Sequence, residues 1–191
     1  MAEGGDDAVV LSFDDGPSDV LPSILDALDA AGAQALFFWQ GARCDAARAA
    51  PARRLLRAGH ALGGHGMTHR MLTELGRTEQ HEEIAGGIRC VERLTGRPVR
   101  LFRPPYGRFD RHTRDIVREL GLTMVHWRVA AWDWKFDDPA VLVANVAAHA
   151  RPGHIVLLHE LPQTAAALPA MIAALRGAGL RIGLPAPLRR E

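Results

Sequence analysis

AVVLSFDDGPS, residues 8–18, begins as an apolar run of strand character and ends in two adjacent carboxylates, Asp14 and Asp15, with Gly16 and Pro17 directly behind them. Side chains alternate between the two faces of a strand, so neighbouring aspartates share one environment only where the chain bends. Gly-Pro is such a bend signal. The plain structural reading is a turn into a helix capped by Ser18. The chemical reading places two acids at a strand's carboxyl end, and the rest of the chain decides between them.

Outward from that stretch, short apolar runs alternate with longer amphipathic ones. Residues 20–32 (VLPSILDALDAAG) predict a helix stopped at Gly32, 33–40 (AQALFFWQ) a second strand, and 46–59 a helix with Pro51 in its first turn. HALGG (60–64) predicts a third strand, 78–96 a helix closed by Gly96 in spite of Gly86 and Gly87, 98–105 (PVRLFRPP) a fourth strand, and 110–121 a helix. TMVHWRV (123–129) predicts a fifth strand, 138–150 a helix opened by Asp138-Pro139, HIVLLHE (154–160) a sixth strand, 164–179 a helix, and LRIGLP (180–185) a seventh strand. Such alternation requires a parallel sheet with crossover helices, either an open doubly wound sheet or a closed barrel.

Bulk composition narrows the function classes. At 191 residues and 48% hydrophobic the chain suits one core, hence a single domain over 1–191. Lys and Arg number 23 against 22 Asp and Glu, so no global field draws it to nucleic acid or anionic lipid, and no run is long and apolar enough to span a membrane. The arginines of RLLR and of the tail PLRRE read as solvated. Cys44 and Cys90 form no metal-ligand pattern and read as free thiols. The leader MAEGGDDAVV lacks the basic and apolar regions of a secretion signal, so a cytoplasmic protein is expected.

In parallel α/β folds functional groups gather beyond the carboxyl ends of the strands. There the first strand presents Asp14 and Asp15, the third His65 and then His69, and the fourth Arg103 with Tyr106 in the next loop. The fifth is followed by Asp133 and Trp134, and the sixth ends at His159 and Glu160. His65 and His69 stand at i and i+4 in HGMTH and share a face if the segment turns helically, and Asp15 would complete a three-ligand divalent site. Asp14 then serves as the base, Arg103 as its partner, and His159 as the acid protonating a leaving amine, with its tautomer fixed by Asp133. Singly, each has a structural reading too: Arg103 a buried salt-bridge partner, Asp133 a turn or cap residue, His159 a core histidine.

Five segments in order, SFDDGP (12–17), HGMTH (65–69), RPPYG (103–107), WDW (132–134) and LLHE (157–160), resemble the motifs of the polysaccharide deacetylase family, carbohydrate esterase family four, with its NodB-homology domain. The resemblance runs from about residue 8 to residue 185. It implies a distorted (β/α) barrel of about seven parallel strands and a metal-dependent hydrolase that removes N-acetyl, sometimes O-acetyl, groups. It implies Asp14 as base, Asp15, His65 and His69 as ligands of a divalent metal, usually zinc, Arg103 as the partner of Asp14, and His159 as acid oriented by Asp133. It further implies Leu157 and Trp134 as walls for the acetyl methyl and the backbone N–H of Tyr106 as a donor to the oxyanion. By geometry an Asp-His-His site also accepts cobalt, nickel or manganese.

Three positions depart from the family pattern. Gly66 stands where Ser or Thr is common after the first histidine, Arg70 where Pro is common after the second, and Ala130 where an acid often precedes the fourth motif's aspartate. The missing hydroxyl loosens the expected support of the metal loop. The expected substrate is an acylated amino sugar or small amide inside the cell, with Trp39, Tyr106, Trp132 and Trp134 as the aromatics available to line a sugar cleft. Two other readings stay open: an amidase or deformylase of a non-carbohydrate or lipid-linked metabolite, and a non-catalytic glycan-binding module. Oligomeric state is left open.

Overall fold

Seven strands pair, all in parallel, in the order β5-β4-β3-β2-β1-β7-β6. The computed structural model describes residues 8–185, so the leader residues 1–7 and the tail PLRRE lie outside the described residues. The strands are β1 Val10–Gly16, β2 Leu36–Trp39, β3 Ala61–Gly64, β4 Leu101–Phe102, β5 Thr123–Met124, β6 Val129–Ala130 and β7 Ile155–His159. The helices are α1 Leu21–Ala30, α2 Ala49–Arg57, α3 Arg77–Thr95, α4 Arg111–Glu119, α5 Pro139–His149 and α6 Pro162–Gly177. Asp138 caps α5 by accepting from the Ala140 N–H at 2.8 Å, and Gly96 ends α3 in the left-handed region at φ 65°.

Chain length forces the sheet to curl. The two edge strands β5 and β6 are separated by residues 125–128 only. A flat seven-stranded sheet would set its edges roughly 29 Å apart, whereas five extended steps reach roughly 18 Å. The result is a curled half-barrel, the distorted (β/α) barrel.

This seam corrects one expectation: residues 123–129 are two short strands at opposite edges, because the chain must leave one edge and cross to the other within that segment. Residues 180–185 form no strand either. Both edges of β1 are already taken, by β7 from Val10 and by β2 from Ser12, so Ile182 pairs only with Val9, the residue before β1, in a single parallel bridge. Ser18 caps no helix. α1 begins at Leu21 without a side-chain cap, and the Ser18 hydroxyl accepts from Val20 N–H within the turn.

Alternation along β1 and β2 sorts the core into two layers. Val9, Leu11, Phe13, Phe37 and Trp39 face the helices, with Phe13 and Phe37 stacked at 5.1 Å. Val10, Leu36, Phe38, Leu101 and Val125 fill the barrel interior, closed below by Leu184. The inward face of β1 therefore reads Val10, Ser12, Asp14: apolar at the floor and acidic at the carboxyl end, where the loops converge.

Candidate active site

Asp14 is the last inward residue of β1, and it is buried. Its Oδ1 accepts from Arg103 Nη1 at 2.7 Å, and the same nitrogen donates to Ser12 Oγ at 2.9 Å. Arg103, fully buried, spends its other donors on the carbonyls of Val125 and His126 at the barrel seam, and its guanidinium lies 4.2 Å over the Phe38 ring. Buried guanidinium and carboxylate thus satisfy each other, and Asp14 Oδ2 is left 3.6 Å from His65 Nε2.

Asp15 reaches the same side as Asp14 through its own backbone. Its φ is 66°, and the β1–β2 register shifts between Phe13 and Gly16, so the bend lies at Asp15, one residue ahead of the Gly-Pro that predicted it. Asp15 Oδ1 stands 3.3 Å from His69 Nε2 and 3.7 Å from His65 Nε2, and accepts from Gln40 Nε2 at 2.8 Å. His65 Nδ1 lies 2.7 Å from the Arg103 carbonyl; a carbonyl only accepts, so the proton sits on Nδ1 and the Nε2 lone pair faces Asp15.

The HGMTH segment is not helical. His69 has φ 63° and Gly66 φ 77°, and the loop holds its shape through Glu83 of α3, which accepts from Met67 N–H at 3.1 Å, Thr68 N–H at 2.9 Å and Thr68 Oγ1 at 2.6 Å. Support expected from a hydroxyl at position 66 therefore comes from a helix carboxylate. Gly66 itself occupies a conformation that suits glycine, and its carbonyl passes α3 at Gly87, where a Cβ would stand 2.4 Å from Gly66 O.

His159 ends β7 in register with Asp14. Asp133 binds it twice, Oδ1 with His159 Nδ1 at 2.8 Å and Oδ2 with the His159 N–H at 2.6 Å, while Thr164 Oγ1 donates to Oδ2 at 2.6 Å. Burial alone would depress the imidazolium; the Asp133 carboxylate, helped by Asp14 and Asp15, outweighs it and holds His159 above the ordinary histidine value. At Asp15 burial pushes upward, yet the imidazoles of His65 and His69 leave the carboxyl below its usual range. Burial keeps His69 below its usual value against the pull of Asp15, which favours the neutral, ligating form.

Asp14, Asp15, His65, His69 and His159 line one cavity of about 630 Å³ whose walls include Tyr106, Trp127, Trp134, Leu157 and Arg108, with Arg103 and Asp133 buried behind it. The ten residues expected at the site are brought together at this end of the barrel. Trp39 is not: it faces the helices, fully buried, and donates to Glu160 Oε1 at 2.8 Å. Glu160 also turns away from the cavity to hold Ser18 N–H at 2.8 Å, and burial pushes its carboxyl up to about 7. Arg70 makes an exposed ion pair with Glu79, and at the Ala130 departure Asn145 Nδ2 binds the Ala130 carbonyl at 2.8 Å. Glu83, Gln40, Thr164 and Trp127 escaped the sequence reading. Gln40 was within reach, since it directly follows β2 and the strand-end rule applies to that strand too.

The donor set suits a divalent cation. Asp15, His65 and His69 are the one group of three or more His, Cys, Asp or Glu among the described residues whose ligand atoms lie together, all within 4.8 Å of one another. Two tetrahedral ligands at about 2.0–2.1 Å from zinc sit roughly 3.3 Å apart, close to the two Asp15–His spacings.

Fold and site together define a parallel barrel carrying an Asp-His-His centre flanked by a buried acid–arginine pair and an Asp-oriented histidine. The polysaccharide deacetylase family model matches residues 2–125. A family 4 carbohydrate esterase from Streptomyces lividans superposes with a TM-score of 0.88 at 34% identity, over 96% of this chain and 95% of that one. The chitooligosaccharide deacetylase of Sinorhizobium fredii is 34% identical over 93% of this chain and 90% of its own length. The peptidoglycan-N-acetylglucosamine deacetylase PgdA of Listeria monocytogenes is 34% identical over 83% of this chain, which spans 34% of that relative's length. The chain belongs to the polysaccharide deacetylase family.

Proposed function

We propose that this protein is a metal-dependent hydrolase that removes an N-acetyl or other small acyl group from an amino sugar or oligosaccharide. The observation that carries the reading is the split use of two neighbouring aspartates: Asp14 is tied to Arg103 through Oδ1, while Asp15 Oδ1 stands between both histidines and is the one carboxylate of the pair within reach of His69. Asp15, His65 and His69 hold the divalent ion, most simply zinc, which when bound supplies polarisation of the acyl carbonyl and of a water. Asp14, fixed through Oδ1, takes the water's proton on Oδ2. His159, aimed by Asp133, gives a proton to the departing amine. Leu157 and Trp134 wall the acyl methyl, and the Tyr106 loop supplies a backbone donor to the developing oxyanion. Relatives named for chitooligosaccharide and peptidoglycan substrates support an acetylated glycan.

The test is acetate release by zinc-reconstituted protein from N-acetylated sugars, chitooligosaccharides and non-sugar acetamides, read by mass spectrometry. Release from the sugars supports the reading. Release confined to non-sugar amides discards the glycan and keeps the chemistry, and silence across the panel overturns the proposal.

A further inference from the structure

Glu160 follows His159, takes no part in the chemistry above, and is nevertheless a buried carboxyl. A buried acid is costly unless its oxygens are engaged, and both are. Oε1 accepts from Trp39 Nε1 at 2.8 Å, and Oε2 accepts from the Ser18 N–H at 2.8 Å. The backbone N–H of the same residue donates to the Asp14 carbonyl at 3.2 Å. Glu160 therefore grips the chain on both sides of Asp15, ahead of it through the backbone and behind it through the carboxylate.

Between those two bonds lies the conformation that turns Asp15 toward the histidines. Its φ of 66° is uncommon for a residue other than glycine. In regular extended backbone Asp15 would face opposite to Asp14, toward the helices and away from His65 and His69. The Gln40 N–H adds a bond to the Gly16 carbonyl at 2.8 Å, and a Cβ at Gly16 would overlap Glu160 Oε1 and the Trp39 ring, so the bend is seated directly on the carboxylate. A packing role alone would suit leucine as well; only a side chain with two acceptor oxygens satisfies both donors.

We infer that Glu160 is the positioning residue for Asp15: by holding Ser18 it fixes the bend that delivers the Asp15 carboxylate to the His65–His69 pair. The inference rests on the metal-site reading above. β7 thus serves the site from two faces, with His159 in the cavity and Glu160 behind it.

The experiment titrates the metal-free wild type, Glu160→Leu, Glu160→Gln and Trp39→Phe with Co²⁺ by calorimetry, beside thermal melting and crystal structures of the same metal-free proteins. Glu160→Leu removes both acceptors and should lower cobalt affinity about tenfold or more. Glu160→Gln keeps one acceptor oxygen and should fall in between. Trp39→Phe removes the other donor and leaves the Ser18 bond, so it should melt earlier and keep its affinity. Wild-type affinity in folded Glu160→Leu, or an equal loss in Trp39→Phe, overturns the inference. If Glu160→Leu does not fold, Glu160→Gln decides, and undiminished affinity there overturns it. If the wild type itself takes up no cobalt, the metal reading fails separately and the crystal structures decide. Asp15 swung away from His69 in the folded Glu160 variant sustains the positioning role, and Asp15 unmoved overturns it.

Discussion

Asp14 and Asp15 are chemically identical and adjacent and both come near His65, yet one positive φ gives Arg103 to Asp14 and Gln40 and His69 to Asp15. Asp14→Asn should retain metal and lose turnover by about 10²–10⁴-fold, the usual worth of a positioned base. Asp15→Asn should lose metal affinity at least tenfold. Metal content by atomic emission after dialysis, beside kcat, checks both, and equal metal loss in the two variants would contradict the division. At His159 the sign of the pH effect follows from its partner. An acid must be protonated to act, so activity falls as pH rises through its raised pKa. Asp133→Asn removes the carboxylate that holds the value up and leaves the burial that pulls it down. The alkaline limb of the rate profile should therefore move to lower pH. A limb that stays in place would detach His159 from the acid role.

At the scale of elements, most of the fold was legible because strand and helix differ in period, and periods survive in sequence. The α5 cap at Asp138-Pro139 and the α3 stop at Gly96 came through for the same local reason. What failed was non-local. TMVHWRV has the composition of one strand, and its division depends on a seam that exists only once the sheet has curled. Five motifs gave away the ten candidate site residues, whereas Glu83 sits on an ordinary helix surface by sequence and acquires its task from the loop laid across it. The two glycines inside α3 make the point testable. A Cβ at Gly87 would meet Gly66 O at 2.4 Å, while one at Gly86 meets only Arg89 Nη2 at 3.9 Å. Gly86→Ala should stabilise by about 0.5–1 kcal/mol through helix propensity. Gly87→Ala should destabilise by about 1–3 kcal/mol and weaken metal binding as the His65–His69 loop is displaced. Urea denaturation of the pair gives the signs directly, and like signs would mean that the loop does not rest on the helix.

Across the whole molecule the barrel separates chemistry from stability, with the reactive groups at the carboxyl ends of the strands and a different histidine at the other end. His60, immediately before β3, is buried against Phe37, accepts from the Ala35 N–H on Nδ1 at 3.1 Å, and leaves Nε2 buried without a partner among the described residues. Burial drives its pKa down to about 4 from 6.5. The unfolded chain therefore binds a proton below about pH 6.5 that the folded protein refuses until about pH 4, and stability drains away as pH falls through that window. Between pH 7 and pH 5 this one group should cost roughly 2 kcal/mol. His60→Leu loses the acceptor for Ala35 and should be less stable at pH 7 by about 1–3 kcal/mol. Its stability should nevertheless fall less steeply than the wild type's between pH 7 and pH 5, by roughly the 2 kcal/mol that His60 contributes. Because the two proteins share every other titrating group, the difference between their denaturation curves isolates this residue, and parallel curves would remove His60 from the account. His60 thus adds its share of the acid-side loss of stability at the amino ends of the strands while His159 bears on the alkaline limb of activity at the carboxyl ends, so each contribution can be moved by substitution without moving the other.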